Sequence, residues 1–141
     1  MFQTTTSAGE TISLGERIGK SLKPNDIVAL IGDLGAGKTT LIQGMAKGLE
    51  VENWVTSPTF TLINEFKGRL DLYHVDLYRI NSIEEAMDIA IEEYFTRGGV
   101  TVIEWAEKIK PLLPEETIEI NIKIKSENER EFEVRNLEMR S

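Results

Sequence analysis

Gly32 to Thr39 reads G-D-L-G-A-G-K-T and matches G-x-x-x-x-G-K-[ST], the spacing of a phosphate-binding loop. Ahead of it, Asp26 to Ile31 (D-I-V-A-L-I) is an apolar, β-branched run that reads as a buried strand. Behind it, Thr39 to Leu49 reads as a helix, with apolar positions at Leu41, Ile42, Met45, Ala46 and Leu49. Strand, glycine loop and helix are the context the pattern requires, which disfavours a glycine-rich turn with a chance lysine. Gly35 and Gly37 let successive backbone N–H groups, including that of Ala36, point into one concavity. The helix start at Thr39 and Thr40 adds a partial positive charge. Lys38 is long enough to reach β- and γ-phosphates, and the Thr39 hydroxyl suits Mg²⁺.

The rest of the chain can be placed around that unit. Phe2 to Thr5 is short and β-prone. Ser7 and Glu10 make a capping box, and Leu14, Ile18 and Leu22 give the following helix one apolar stripe. Lys23-Pro24-Asn25 stops it. Thr61 to Lys67 and Leu70 to Tyr78 read as a hairpin around Gly68-Arg69. Ser82 and Glu85 form a second capping box that opens a helical region running towards Phe95 and ending by Gly98-Gly99. Val100 to Ile103 is a buried-strand run ending in Glu104-Trp105, and Ala106 to Ile109 is a short helical piece before Pro111 and Pro114. The tail alternates through Ile118, Ile120, Ile122 and Ile124, then Phe132, Val134 and Leu137, as in an antiparallel hairpin with one apolar face. The expectation is an α/β fold: residues 1–141 as one P-loop NTPase-like domain, with a mixed sheet flanked by helices and a C-terminal β-hairpin.

Composition narrows the function. The chain has 141 residues, 40% hydrophobic and 28% charged, as in soluble globular domains. It has no cysteine and one histidine, which excludes disulfides, thiolate chemistry and multi-histidine metal centres. No stretch is apolar enough to span a membrane, and the start lacks the pattern of a signal peptide, so cytoplasm is the expected compartment. A net charge of −8 argues against direct, non-specific gripping of nucleic acid.

Ligands of open α/β sheets bind at the carboxyl ends of the strands. Two acids fall there: Glu104, ending one strand, and Asp76, towards the end of another. Nucleotide hydrolysis needs an acid on Mg²⁺ and a group that orients water. Glu104 is favoured for the metal and Asp76 for the water or a place one layer behind the metal, and the two roles can be exchanged. Thr56, Ser57 and Thr59, braced by Pro58, read either as a nucleotide-sensing switch or as an ordinary turn. Arg79, close behind Asp76, reads either as a phosphate contact or, more simply, as half of a surface ion pair, and His74 reads as structural. Trp105 would pack in the core, stack on a base or face a partner. No N-K-x-D segment supports guanine, and no arginine-rich lid supports a small-molecule kinase. Hydrolysis or nucleotide-gated binding is therefore favoured over transfer to a small acceptor.

Four segments recur together in one order: G-D-L-G-A-G-K-T-T at Gly32 to Thr40, S-P-T-F-T-L at Ser57 to Leu62, H-V-D-L-Y-R at His74 to Arg79 and I-E-W at Ile103 to Trp105. They resemble the bacterial TsaE (YjeE) family, over nearly the whole chain from Leu14 onward. The resemblance implies a slow P-loop ATPase in tRNA threonylcarbamoyladenosine (t6A) biosynthesis. It implies TsaB and TsaD as partners that carry out the transfer to tRNA, which this chain would meet only indirectly. It puts ATP on Gly35 to Thr40 (Gly35, Ala36, Gly37, Lys38, Thr39 and Thr40) and Mg²⁺ on Thr39 and Glu104. It gives functional weight to Asp76 and Trp105, and places Thr6 near the base.

Overall fold

In the computed structural model, which describes residues 1–32, 37–52 and 62–138, seven strands form one sheet in the order β1-β7-β6-β2-β5-β4-β3. The strands are β1 (Phe2–Thr5), β2 (Ile27–Ile31), β3 (Ile63–Phe66), β4 (Leu72–Asp76), β5 (Val100–Glu104), β6 (Ile118–Ile124) and β7 (Arg130–Arg135). Four helices join them: α1 (Ala8–Ser21), α2 (Lys38–Gly48), α3 (Ile83–Asp88) and α4 (Ile91–Tyr94), with a 3₁₀ segment at Ala106–Leu112. β2 runs parallel to β5 and β6, and β4 runs parallel to β5. The β3–β4 and β6–β7 pairs are antiparallel, as the two expected hairpins require. β1 closes the edge by pairing antiparallel with β7, and Met1 and Val134 exchange two backbone hydrogen bonds beyond it, at 2.8 and 3.1 Å.

β2 is buried on both faces, as its unbroken apolar sequence dictates. Val28 and Leu30 point to one side and Ile27 and Ala29 to the other, so the core divides into two layers. On the first side α1 and α2 bury Leu14, Ile18, Leu41, Ile42 and Met45 against the sheet. These two helices lie unusually close. A Cβ added at Gly15 or Gly19 would land on backbone of α2, and one at Gly44 or Gly48 on backbone of α1. Each helix thus carries a G-x-x-x-G stripe that lets the two backbones touch. The second side is covered by α3, α4 and the 3₁₀ segment through Ala86, Ile91, Ala106 and Ile109.

Both capping boxes form. Ser7 Oγ accepts from the Glu10 N–H at 3.1 Å, and Ser82 Oγ from the Glu85 N–H at 3.3 Å. In both, the glutamate reaches one residue behind the cap: Glu10 to the Thr6 N–H at 2.7 Å and Glu85 to the Asn81 N–H at 3.2 Å.

Two expectations need correction. The helical region after Ser82 is not continuous: Ala90 adopts a left-handed conformation (φ 55°, ψ 42°) and splits it into α3 and α4. The piece after Trp105 is a 3₁₀ segment that continues to Leu112, beyond Ile109. Ile109 leaves helical geometry, so Pro111 falls in the first turn of a second short piece, where its missing N–H costs nothing.

Candidate functional site

Because β2, β4 and β5 are parallel, their carboxyl ends share one edge of the sheet. Gly32 leaves β2 there, and α2 starts from the same edge after Gly37. Gly37 caps α2 at φ 100°, a left-handed conformation that only glycine adopts without strain. The loop thereby turns straight into the helix, and Lys38 and Thr39 fall in its first turn. Thr39 is exposed and Thr40 half-buried, while Lys38 is only 5% exposed.

A lysine that buried needs partners. Lys38 Nζ donates to the Gly32 carbonyl at 2.8 Å and lies 4.0 Å from the centroid of the Trp105 ring, a cation–π geometry. Trp105 follows Glu104 directly and is itself left-handed (φ 61°), starting the 3₁₀ segment. Its ring also meets Tyr78 at 5.3 Å between centroids. Lys108 Nζ stands 5.7 Å from the same ring and donates to the Tyr78 and Ile80 carbonyls, tying the residues after β4 to those after β5.

Glu104 is buried at 8% exposure and sits opposite Asp76 in the β4–β5 register. Asp76 is exposed, and its Oδ1 accepts from the Tyr78 N–H at 3.0 Å. His74, read from the sequence as structural, contacts one of the candidate site residues. Its Nε2 lies 2.7 Å from Glu104 Oε2. With Glu104 ionised, Nε2 carries the proton and donates. Residue spacing carries no sign of this pair, because it exists only once β4 and β5 are neighbours.

The structure thus gathers Lys38, Asp76, Glu104 and Trp105 at one edge, with Thr39 in the adjoining helical turn. Thr6 stands apart. It follows β1, which ends at the same edge, but β7 and β6 lie between β1 and β2, so three strand intervals, about 14 Å, separate them. Its hydroxyl donates to Glu10 Oε1 at 2.9 Å. The two N–H and O–H donors of Thr6 hold the exposed Glu10 carboxyl below its ordinary pKa. Gly35, Ala36, Thr56, Ser57 and Thr59 lie outside the described residues.

The donor set fits Mg²⁺ better than a transition metal. Among the described residues no cluster of three or more His, Cys, Asp or Glu side chains could hold an ion alone. Mg²⁺ needs no such cage, since it binds through one or two carboxylates together with substrate phosphates. Glu104, beside the end of β2, and Thr39, in the first turn of α2, supply oxygen donors of that kind.

A mixed sheet with a glycine loop leading from its central strand into a helix is the fold of the P-loop NTPase-like α/β proteins. Comparison with known proteins narrows this class. The model of the family "Threonylcarbamoyl adenosine biosynthesis protein TsaE" matches residues 5–132. The chain is 42% identical over 128 residues to the tRNA threonylcarbamoyladenosine biosynthesis protein TsaE of Treponema pallidum, covering 91% of this chain and 95% of that one. It is 44% identical over 129 residues to the Bacillus subtilis protein of the same name, covering 91% and 80%. The crystal structure of Bacillus subtilis YdiB superposes with a TM-score of 0.77 at 38% identity, over 94% of this chain and 82% of that one. The chain belongs to the TsaE family.

Proposed function

We propose that this chain is a Mg²⁺-dependent ATPase that serves tRNA threonylcarbamoyladenosine biosynthesis, acting through the TsaB–TsaD complex and not itself transferring the threonylcarbamoyl group. The observation that carries the reading is the convergence of Lys38, in the first turn of α2, with Glu104, at the end of the neighbouring parallel strand. The relatives' shared description in t6A biosynthesis supports the pathway.

In this reading Gly35 to Thr40 cradle the phosphates of ATP with backbone N–H groups and the α2 N-terminus. Lys38 exchanges the Gly32 carbonyl for phosphate oxygens. Thr39 and Glu104 hold Mg²⁺, which when bound neutralises charge on the phosphate oxygens. Asp76, exposed beside Glu104, orients the attacking water. Thr6, about three strands away along the same edge, lies at a reach suited to the adenosine end of the nucleotide. Trp105, Ser57 and Thr59 report nucleotide state to the partners. Among the described residues no helix is long and apolar enough to cross a membrane, and the net charge of −8 suits contact with tRNA through proteins in the cytoplasm.

ATP turnover should be measured for the chain alone and with TsaB and TsaD, in wild type, Lys38→Ala and Glu104→Ala. Stimulation by the partners, lost in both variants by about 100-fold or more, is expected from removal of groups that stabilise charge in the transition state. No stimulation, with turnover unchanged in Glu104→Ala, would overturn the reading.

A further inference from the structure

Leu72, His74 and Asp76 alternate onto the sheet face that carries α2, and so do Val100, Val102 and Glu104. In register, His74 faces Val102 and Asp76 faces Glu104, so His74 and Glu104 are diagonal neighbours on adjacent parallel strands. Both side chains are largely shielded, at 17% and 10% exposure, and the contact at 2.7 Å is short for a nitrogen–oxygen pair. A carboxylate at a strand end otherwise turns freely about its last torsion. One oxygen held by a ring fixed in a β-strand orients the group.

We propose that His74 is a positioning residue for Glu104: by donating from Nε2 to Oε2 it fixes the carboxylate plane and leaves the other oxygen to the Mg²⁺ ion or its water. The inference rests on the reading of Glu104 as the metal-side carboxylate. It follows the general behaviour of metal sites, where a ligand's own hydrogen-bond partner sets its orientation and its loss weakens metal binding about 10- to 100-fold. It also gives a use to the chain's one histidine, on a strand whose other residues on that face pack or point to solvent.

Mn²⁺ is the probe, measured by the loss of its free electron-paramagnetic-resonance signal on binding to the protein–ADP complex. Four variants are compared with wild type: His74→Ala, His74→Asn, His74→Gln and Glu104→Gln. Glutamine places an N–H close to the Nε2 position, whereas asparagine places it near Nδ1. His74→Ala and His74→Asn should weaken Mn²⁺ binding about 10- to 100-fold, and His74→Gln should stay within about threefold of wild type. ADP affinity in EDTA should be the same in every folded His74 variant, which separates loss of metal from loss of structure. If His74→Asn binds Mn²⁺ as tightly as wild type while Glu104→Gln does not, the positioning role is wrong. A His74→Gln as weak as His74→Asn would also overturn it, because ring packing and not the N–H would then matter. If Glu104→Gln itself binds like wild type, the metal assignment of Glu104 fails first. Should His74→Ala not fold, the asparagine and glutamine variants decide the question.

Discussion

The two faces of the sheet are covered in different ways. On one, two regular helices, α1 and α2, meet backbone to backbone along paired glycines. On the other, the cover is broken into α3, α4 and a 3₁₀ segment, with non-glycine residues in left-handed conformations at Ala90 and Trp105. The first side holds the start of α2 still; the second supplies Trp105 and Tyr78 from irregular backbone. The candidate site lies where the two meet. Close backbone contact thus braces the start of α2 on one face, while the irregular cover of the other presents Trp105 beside Lys38.

Substitutions test that contrast. Gly44→Val should have the largest effect: its side chain would overlap the Ile12 carbonyl of α1, and backbone cannot step aside as a side chain can. The cost should reach or exceed the ~3 kcal/mol upper end of ordinary overpacking, read as a fall in thermal midpoint of about 10 °C or more. An unchanged midpoint would break the picture of a locked face.

Gly98→Ala, on the crossover between α4 and β5, should cost less. Nothing lies near its added Cβ, so the left-handed backbone (φ 91°) costs about 1–2 kcal/mol, offset by about 0.5–1 kcal/mol of freedom lost from the unfolded chain, a net loss readable by urea denaturation. Ala90→Gly should change sign. Relief of a left-handed alanine, about 1–2 kcal/mol, is set against about 0.5–1 kcal/mol of added freedom in the unfolded chain, for a net gain of up to about 1.5 kcal/mol. A loss there would mean that the break between α3 and α4 is not strained.

Glu10→Gln should have the smallest effect, a small loss at neutral pH that fades in acid. Thr6 lowers the Glu10 pKa in the folded state. Its contribution is therefore complete above the ordinary glutamate value and is lost as pH falls through the lower folded value. Urea midpoints followed from neutral to about pH 3 should show a shallower acid decline in the variant.

Much of the fold and part of the site are legible in the amino-acid sequence. Ser7 and Glu10, Ser82 and Glu85, and the alternation through Ile118 and Val134 are local signals, and they appear where expected. Asp76 and Glu104 can be put at one edge because strand-end acids and a phosphate loop share an edge in any parallel sheet. The break at Ala90 is not legible, since alanine favours helix and carries no signal for a left-handed turn, which here is held by backbone hydrogen bonds to Met87 and from Glu93. The His74–Glu104 contact is hidden for another reason: 30 positions separate the two residues, and their pairing depends on strand order. The loop residues Gly35 and Ala36 and the switch candidates Ser57 and Thr59 lie outside the described residues, so their roles rest on the motifs that contain them.

The pairing of β1 with β7 bears on how the molecule is made. Met1 bonds to Val134 across 133 positions. At synthesis rates of about 5–20 residues per second, the opening strand waits about 7–27 s on the ribosome before its partner exists. Through that time α1, α2 and the central strands can assemble without it. The margin carrying Thr6 is then completed last, so a nascent chain should pair β2 with β5 before β1 finds β7.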